Sequence, residues 1–124
     1  MPLSGEQIVQ RYFKCMDSRD VDGILDLFDY DAVVYEPFSK VGVLQGRSAI
    51  EPFLRVAMMA NSEMRRTVKI EKIKKLDDDH NNNRIVALIT FEKGEKIKGR
   101  FTFEFTDDED IREKKIKSLR IEFL

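Results

Sequence analysis

The run Ile97-Lys98-Gly99-Arg100-Phe101-Thr102-Phe103-Glu104-Phe105-Thr106 decides how the second half of the chain folds. Ile97, Gly99, Phe101, Phe103 and Phe105 take every second position, with charged or hydroxyl side chains between them. Successive side chains of a strand point to opposite faces, so this spacing predicts a half-buried β-strand with its phenylalanines facing inward. Upstream, Lys93-Gly94 suits a tight hairpin turn, and Ile85-Val86-Ala87-Leu88-Ile89-Thr90-Phe91 reads as a near-continuous apolar strand. Farther back, Asp77-Asp78-Asp79-His80-Asn81-Asn82-Asn83 is a polar loop. A first long strand begins near Thr67 and carries Val68, Ile70, Ile73 and Leu76. Downstream, a charged loop from Asp107 to Lys114 leads to a last strand with Leu119, Ile121 and Phe123 on one face. The second half is therefore expected to be a four-stranded antiparallel meander.

Working outward to the first half, the period changes to that of helices. Ser4 followed by Gln7 fits a capping box, and Ile8, Tyr12 and Met16 then recur every four residues with Val9 and Phe13 beside them. Asp20 is placed to cap a short second helix carrying Ile24, Leu25, Leu27 and Phe28, closed by Asp29-Tyr30-Asp31. Ala32-Val33-Val34-Tyr35-Glu36 is a β-branched run stopped by Pro37, and Val41-Gly42-Val43-Leu44 can pair with it. After the turn Gln45-Gly46-Arg47, Ser48 and Glu51 suggest a second capping box, with Pro52 in the first turn of a helix. Its buried face would hold Ile50, Phe53, Leu54, Ala57 and Met58. Helices gathered at one end of the chain and strands at the other predict an α+β fold. Three N-terminal helices packed on a curved, mainly antiparallel sheet would enclose a cone with an apolar interior.

Composition narrows the function. The 124 residues, of which 42% are hydrophobic, suit a single domain over residues 1–124 with a substantial core. A formal net charge of −1 argues against a dedicated nucleic-acid binder. Residues 1–64 hold 6 Lys+Arg against 10 Asp+Glu, whereas residues 65–124 hold 16 against 13, so the sheet half is the more basic. Lys96, Lys98, Arg100, Lys115 and Lys117 on its outer face are interrupted by Glu104, Glu113 and Glu122, which predicts an ion-paired exterior. A single cysteine, Cys15, excludes an internal disulfide and any multi-thiolate zinc site, and its place on the first helix predicts a buried structural thiol. No apolar run is long enough to span a bilayer and no secretory signal is visible, so a cytoplasmic protein without a membrane partner is expected. His80, the only histidine, sits in the polar loop, which leaves no Ser-His or Cys-His triad. That loop lacks the mid-loop glycine of a calcium site, and the place of the closing glutamate falls on Leu88. No metal or cofactor is called for.

Three stretches carry a resemblance. Asp20-Val21-Asp22-Gly23-Ile24-Leu25-Asp26-Leu27-Phe28, Asp31-Ala32-Val33-Val34-Tyr35-Glu36-Pro37-Phe38 and Gly46-Arg47-Ser48-Ala49-Ile50 resemble the opening of the nuclear transport factor 2-like superfamily, which includes ketosteroid isomerases and SnoaL-like polyketide cyclases. The resemblance implies the same α+β fold. It does not fix a function, because this scaffold hosts isomerases, cyclases, dehydratases, hydrolases and non-catalytic modules. Relative to the isomerases it implies an oxyanion donor at Tyr12, which follows Arg11 in the first helix. It implies a general base at Glu36, where those enzymes carry an aspartate before Pro-Phe. The position of their second, protonated acid is taken by Phe101. In the superfamily the outer sheet face commonly forms a homodimer contact, which leaves a polar homodimer possible here.

Proton abstraction beside a carbonyl needs a base near the carbon and donors near the oxygen that gains charge. On the first reading Glu36 moves the proton, Tyr12 polarises the oxygen, and Phe38, Phe53, Phe101 and Phe103 hold a small apolar carbonyl compound. Losing one preorganised donor costs roughly 3–4 kcal/mol of transition-state stabilisation, so Phe101 weighs against efficient steroid isomerisation. On the second reading the same cavity belongs to a non-catalytic binding or interaction module, with Tyr12 and Glu36 as core and strand-end residues.

Overall fold

Ser4 opens the first helix as expected. Its hydroxyl accepts the Gln7 N–H (3.2 Å) while the Gln7 side chain accepts the Ser4 N–H (2.8 Å), so two orphan donors are satisfied. Helix α1 (Gly5–Ser18) buries Ile8, Val9, Tyr12, Phe13, Cys15 and Met16, the stripe read from the sequence. It ends at Arg19 in the left-handed region (φ 58), where the Asp20 N–H closes on the Cys15 carbonyl (2.9 Å). The structure is a computed structural model that describes residues 3–61, 65–72, 84–106 and 114–124. The expected course of a strand through Ile73 and Leu76, the polar loop around His80 and most of the charged loop from Asp107 lie outside the described residues.

Two expectations at the next elements are corrected. Helix α2 (Val21–Leu25), capped by Asp20 through the Gly23 N–H (2.9 Å), stops before Leu27 and Phe28. Phe28 instead opens strand β1 (Phe28–Tyr35), and the Ile116 N–H bonds to the Leu27 carbonyl (2.7 Å). These two apolar residues are buried by pairing with a strand from the far end of the chain, so a non-local ladder overrides the local helical spacing. Strand β2 (Val43–Gln45) then pairs antiparallel with β1.

The second capping box does not form. Helix α3 (Arg47–Asn61) starts one residue before Ser48, and Gly46, at φ 84, receives the Ala49 and Ile50 N–H groups on its carbonyl. That left-handed backbone suits glycine, and the Gly46 N–H is held by the Ala32 carbonyl at 2.8 Å. Pro52 consequently sits a turn inside the helix rather than in its first turn, leaving the exposed Ser48 carbonyl without a helical donor. Ile50, Leu54 and Met58 are buried and Phe53 and Ala57 partly so, as the spacing predicts.

Strands β3 (Arg65–Lys72), β4 (Arg84–Lys93), β5 (Glu95–Phe105) and β6 (Ile116–Phe123) form the antiparallel meander. Strand β1 joins it through a parallel pairing with β6, which gives one six-stranded sheet in the order β2-β1-β6-β5-β4-β3. The fold is α+β, with two helices preceding the sheet and the third inserted after β2. Helices and sheet share one core in which Tyr12, Phe28 and Phe103 are among the largest fully buried side chains. On the outer face, residues in register across strands form ion pairs: Arg84–Glu104 at 3.0 Å and Arg100–Glu122 at 3.4 Å.

Candidate functional site

A cavity of about 380 Å³ lies between the helices and the sheet. Its walls follow from three periodicities. Helix α1 contributes Tyr12, Phe13 and Met16, neighbours on one helical face. Helix α3 contributes Phe53, Val56, Ala57 and Ala60 at helical spacing, and the two alanines leave room that larger residues would fill. The sheet supplies Phe91, Ile97, Phe101, Ile121 and Phe123. Phe91 stands opposite Ile97, and Phe101 opposite Ile121. Between Ile97 and Phe101, Gly99 adds no side chain; a Cβ there would stand 3.7 Å from the Phe101 ring and 3.8 Å from Phe91. Phe38, Val56, Ile97 and Phe123 line the cavity yet are exposed, so they mark its mouth. At that mouth the Phe38 ring packs edge-on against Phe123 (5.3 Å) and lies 6.2 Å from Phe53.

Two polar residues face this apolar space. Tyr12 is 1% exposed, and its hydroxyl has no hydrogen-bond partner among the described residues. Burial pushes this phenol well above its ordinary pKa, with the Arg66 guanidinium pulling the other way, so the group is a neutral donor at physiological pH. Arg66 on β3 is the one charged residue in the wall among those described, and its side chain is 8% exposed. Its Nη2 donates to the Phe13 carbonyl (3.0 Å) and to the Asp17 carboxylate, and its guanidinium carbon lies 5.1 Å from the centre of the Phe13 ring.

Glu36 is buried, at 6% exposure, but it is not in the cavity wall. Its carboxylate turns back on its own loop, accepting the Phe38 N–H (3.0 Å) and the Ser39 hydroxyl (2.5 Å). Ser39 in turn accepts the Gly42 N–H (3.1 Å), and the Glu36 N–H closes the loop on the Gly42 carbonyl (3.0 Å). The structure thus brings Tyr12, Phe38, Phe53 and Phe101 around one cavity and keeps Glu36 outside it. Phe103 shares a strand face with Phe101, yet it is fully buried beneath Tyr12 and Phe13 (ring centroids 5.4 and 6.2 Å away) and does not reach the wall. Arg66 is the residue that the sequence reading missed. Extending the alternation of Val68 and Ile70 back by one step puts Arg66 on their face, and starting the strand at Thr67 hid it.

Among the described residues no group of three or more His, Cys, Asp or Glu could hold a metal ion, and no helix is long and apolar enough to cross a membrane.

The fold is that of the nuclear transport factor 2-like superfamily. Within it, the family model of the SnoaL-like domain matches residues 9–116, and the chain belongs to that family. No curated protein matches the chain. Solved structures of the same fold include SalBIII, described as an epoxide hydrolase/cyclase-like enzyme in pyran ring formation in the polyether salinomycin. It is 22% identical, with 97% of this chain and 90% of that one covered, at TM-score 0.70. A putative polyketide cyclase from Sinorhizobium meliloti is 21% identical over 93% of each chain (TM-score 0.60). A protein of unknown function with a cystatin-like fold from Methylobium petroleophilum is 18% identical over 99% of this chain and 79% of its own (TM-score 0.71).

Proposed function

We propose that this chain, acting as a single domain, binds a small and largely apolar molecule in the cavity. Tyr12 would donate a hydrogen bond to an acceptor oxygen on that molecule. The observation that carries this reading is the Tyr12 hydroxyl, which lacks a partner among the described residues and lies on a cavity wall that is apolar apart from it and Arg66. A buried polar group left unpaired is costly, and a ligand carbonyl would remove that cost. The volume, about 380 Å³, is within the range of small-molecule sites. Phe38 and Phe53 would close over the ligand, and Phe101 would form part of the floor.

Calorimetry with 2-acetylnaphthalene and 2-methylnaphthalene tests the reading on the wild type and on Tyr12→Phe. One neutral hydrogen bond is worth about 0.5–1.5 kcal/mol, so the ketone should bind the wild type roughly 2- to 10-fold more tightly than the hydrocarbon. That advantage should vanish in Tyr12→Phe. Failure of both compounds to bind, or equal affinities in the wild type, overturns it.

A catalytic reading is favoured by one observation. Glu36 is a buried carboxylate one residue from Pro37-Phe38, and Phe38 stands at the mouth of the cavity. In an isomerase- or cyclase-like reaction, Glu36 would leave its loop bonds to take a proton next to the ligand carbonyl. Exchange of the α-protons of 2-acetylnaphthalene for deuterium, followed by NMR, measures this directly. An enzyme should accelerate exchange and lose the acceleration in Glu36→Gln even at ketone concentrations that saturate the variant; no acceleration in the wild type leaves the binding reading alone.

A further inference from the structure

The proposed ligand pocket contains a cation as well as a phenol, and the cation is incompletely used. Nη2 of Arg66 is committed to the Phe13 carbonyl and to Asp17. Nε and Nη1 have no acceptor among the described residues, and, unlike Arg84 Nε, they are not sealed from accessible space. The side chain is nevertheless more than nine-tenths buried and forms part of the cavity wall. Its only ion-pair partner among the described residues, Asp17, is 71% exposed and engages Nη2 alone. A guanidinium in a low-dielectric wall, with donors to spare and its counter-charge confined to one nitrogen, is suited to a second oxygen anion.

Resting on the reading of the cavity as a ligand site, the geometry points to a ligand class: a compact apolar acid whose carboxylate or ionised enol is held jointly by Arg66 and Tyr12. Two features support the pairing. Tyr12 and Phe13 are consecutive in α1, Arg66 is anchored on the carbonyl of Phe13, and both Tyr12 and Arg66 line the one cavity. The guanidinium charge also acts on the Tyr12 hydroxyl, lowering its pKa against the larger effect of burial. A neutral donor beside a fixed cation favours an anionic oxygen over a ketone. The remaining wall is hydrocarbon, so selection falls on acids with a fused-ring or branched apolar body.

The test compares 2-naphthoate, 2-acetylnaphthalene and 2-methylnaphthalene by calorimetry at neutral pH on the wild type, Arg66→Met and Asp17→Asn. Naphthoate should bind the wild type at least about 10-fold more tightly than the ketone, as a charge-assisted pair exceeds a neutral hydrogen bond. Arg66→Met should erase that preference, so that naphthoate no longer binds more tightly than the ketone. Asp17→Asn removes the competing carboxylate at an exposed site and should tighten naphthoate binding alone. If Arg66→Met does not fold, Asp17→Asn decides, and an unchanged naphthoate affinity overturns the inference. If ketone and hydrocarbon bind while naphthoate binds no better, the acid specificity is wrong and the apolar pocket stands. If none of the three binds, the pocket reading falls and this inference with it.

Discussion

The backbone N–H of Phe38 donates to the carboxylate of Glu36 at 3.0 Å, so the buried acid holds in place the aromatic ring at the cavity mouth. The second carboxylate oxygen takes the Ser39 hydroxyl, and both acceptors serve the loop that leads to Gly42. Glu36→Gln retains one acceptor oxygen and replaces the other with an amide that cannot receive either donor. Losing one hydrogen bond at this part-buried site costs about 0.5–1.5 kcal/mol, so the urea midpoint should fall by that equivalent with no change in slope. An unchanged midpoint would mean that these bonds contribute nothing and that the carboxylate is kept for another purpose.

Tyr12→Phe should behave in the opposite way. The hydroxyl has no partner among the described residues, so removing it relieves a desolvation cost without breaking a bond. The ring keeps its edge contacts with Phe13 (5.1 Å) and Phe103 (5.4 Å). Without ligand, the variant should melt at the wild-type temperature or above it, while losing the wild-type preference for a ketone. A clear drop in melting temperature would reveal an internal partner for the phenol and remove the argument that it awaits a ligand.

The parts of this molecule legible in its sequence are those set by local periodicity. The alternation from Ile97 to Phe105 locates β5, and the four-residue recurrence of Ile8, Tyr12 and Met16 locates the buried face of α1. Tyr12, Phe38, Phe53 and Phe101 could be singled out because each lies on an apolar face or in a motif resembling a known family. What escaped depends on distant partners. Phe28 fits a helix by spacing and becomes a strand because Ile116 lies beside it. Arg66 looks like one of many surface cations until its strand is extended by one step and its side chain meets Phe13. Glu36 reads as a base because it stands before Pro37-Phe38, where the isomerases it resembles carry their aspartate; its two acceptor bonds depend on how the chain turns after Pro37, which spacing does not determine.

Phe103 and Phe38 separate core from mouth. Phe103 is fully buried among Tyr12, Phe13 and Phe101, and Phe103→Ala should cost about 3–5 kcal/mol through lost burial and the cavity left behind. Phe38 is 64% exposed, so Phe38→Ala should shift stability by less than about 1 kcal/mol. It should nonetheless weaken binding of any apolar ligand, by removing the ring that packs on Phe53 and Phe123. Urea unfolding and calorimetry on the two variants check both halves. Comparable losses of stability would contradict the assignment of Phe38 to the mouth.

Cys15 gives the fold a dependence on alkaline pH. Burial and, secondarily, the carboxylate of Asp20 raise its thiol pKa, while Arg11 and Lys14 oppose them more weakly. The thiolate is the reactive form, so at pH 8 the folded protein should react with a disulfide reagent at least about 10-fold more slowly than the urea-unfolded chain. The sign for stability follows from the same shift. The folded pKa exceeds the unfolded one, so the unfolded chain releases this proton first as pH rises. The stabilisation is complete below the ordinary thiol pKa and is lost as pH climbs through the raised folded value. Between pH 7 and pH 10 the urea midpoint of the wild type should therefore decline more steeply than that of Cys15→Ala. Parallel declines would show that the thiol titrates alike in both states.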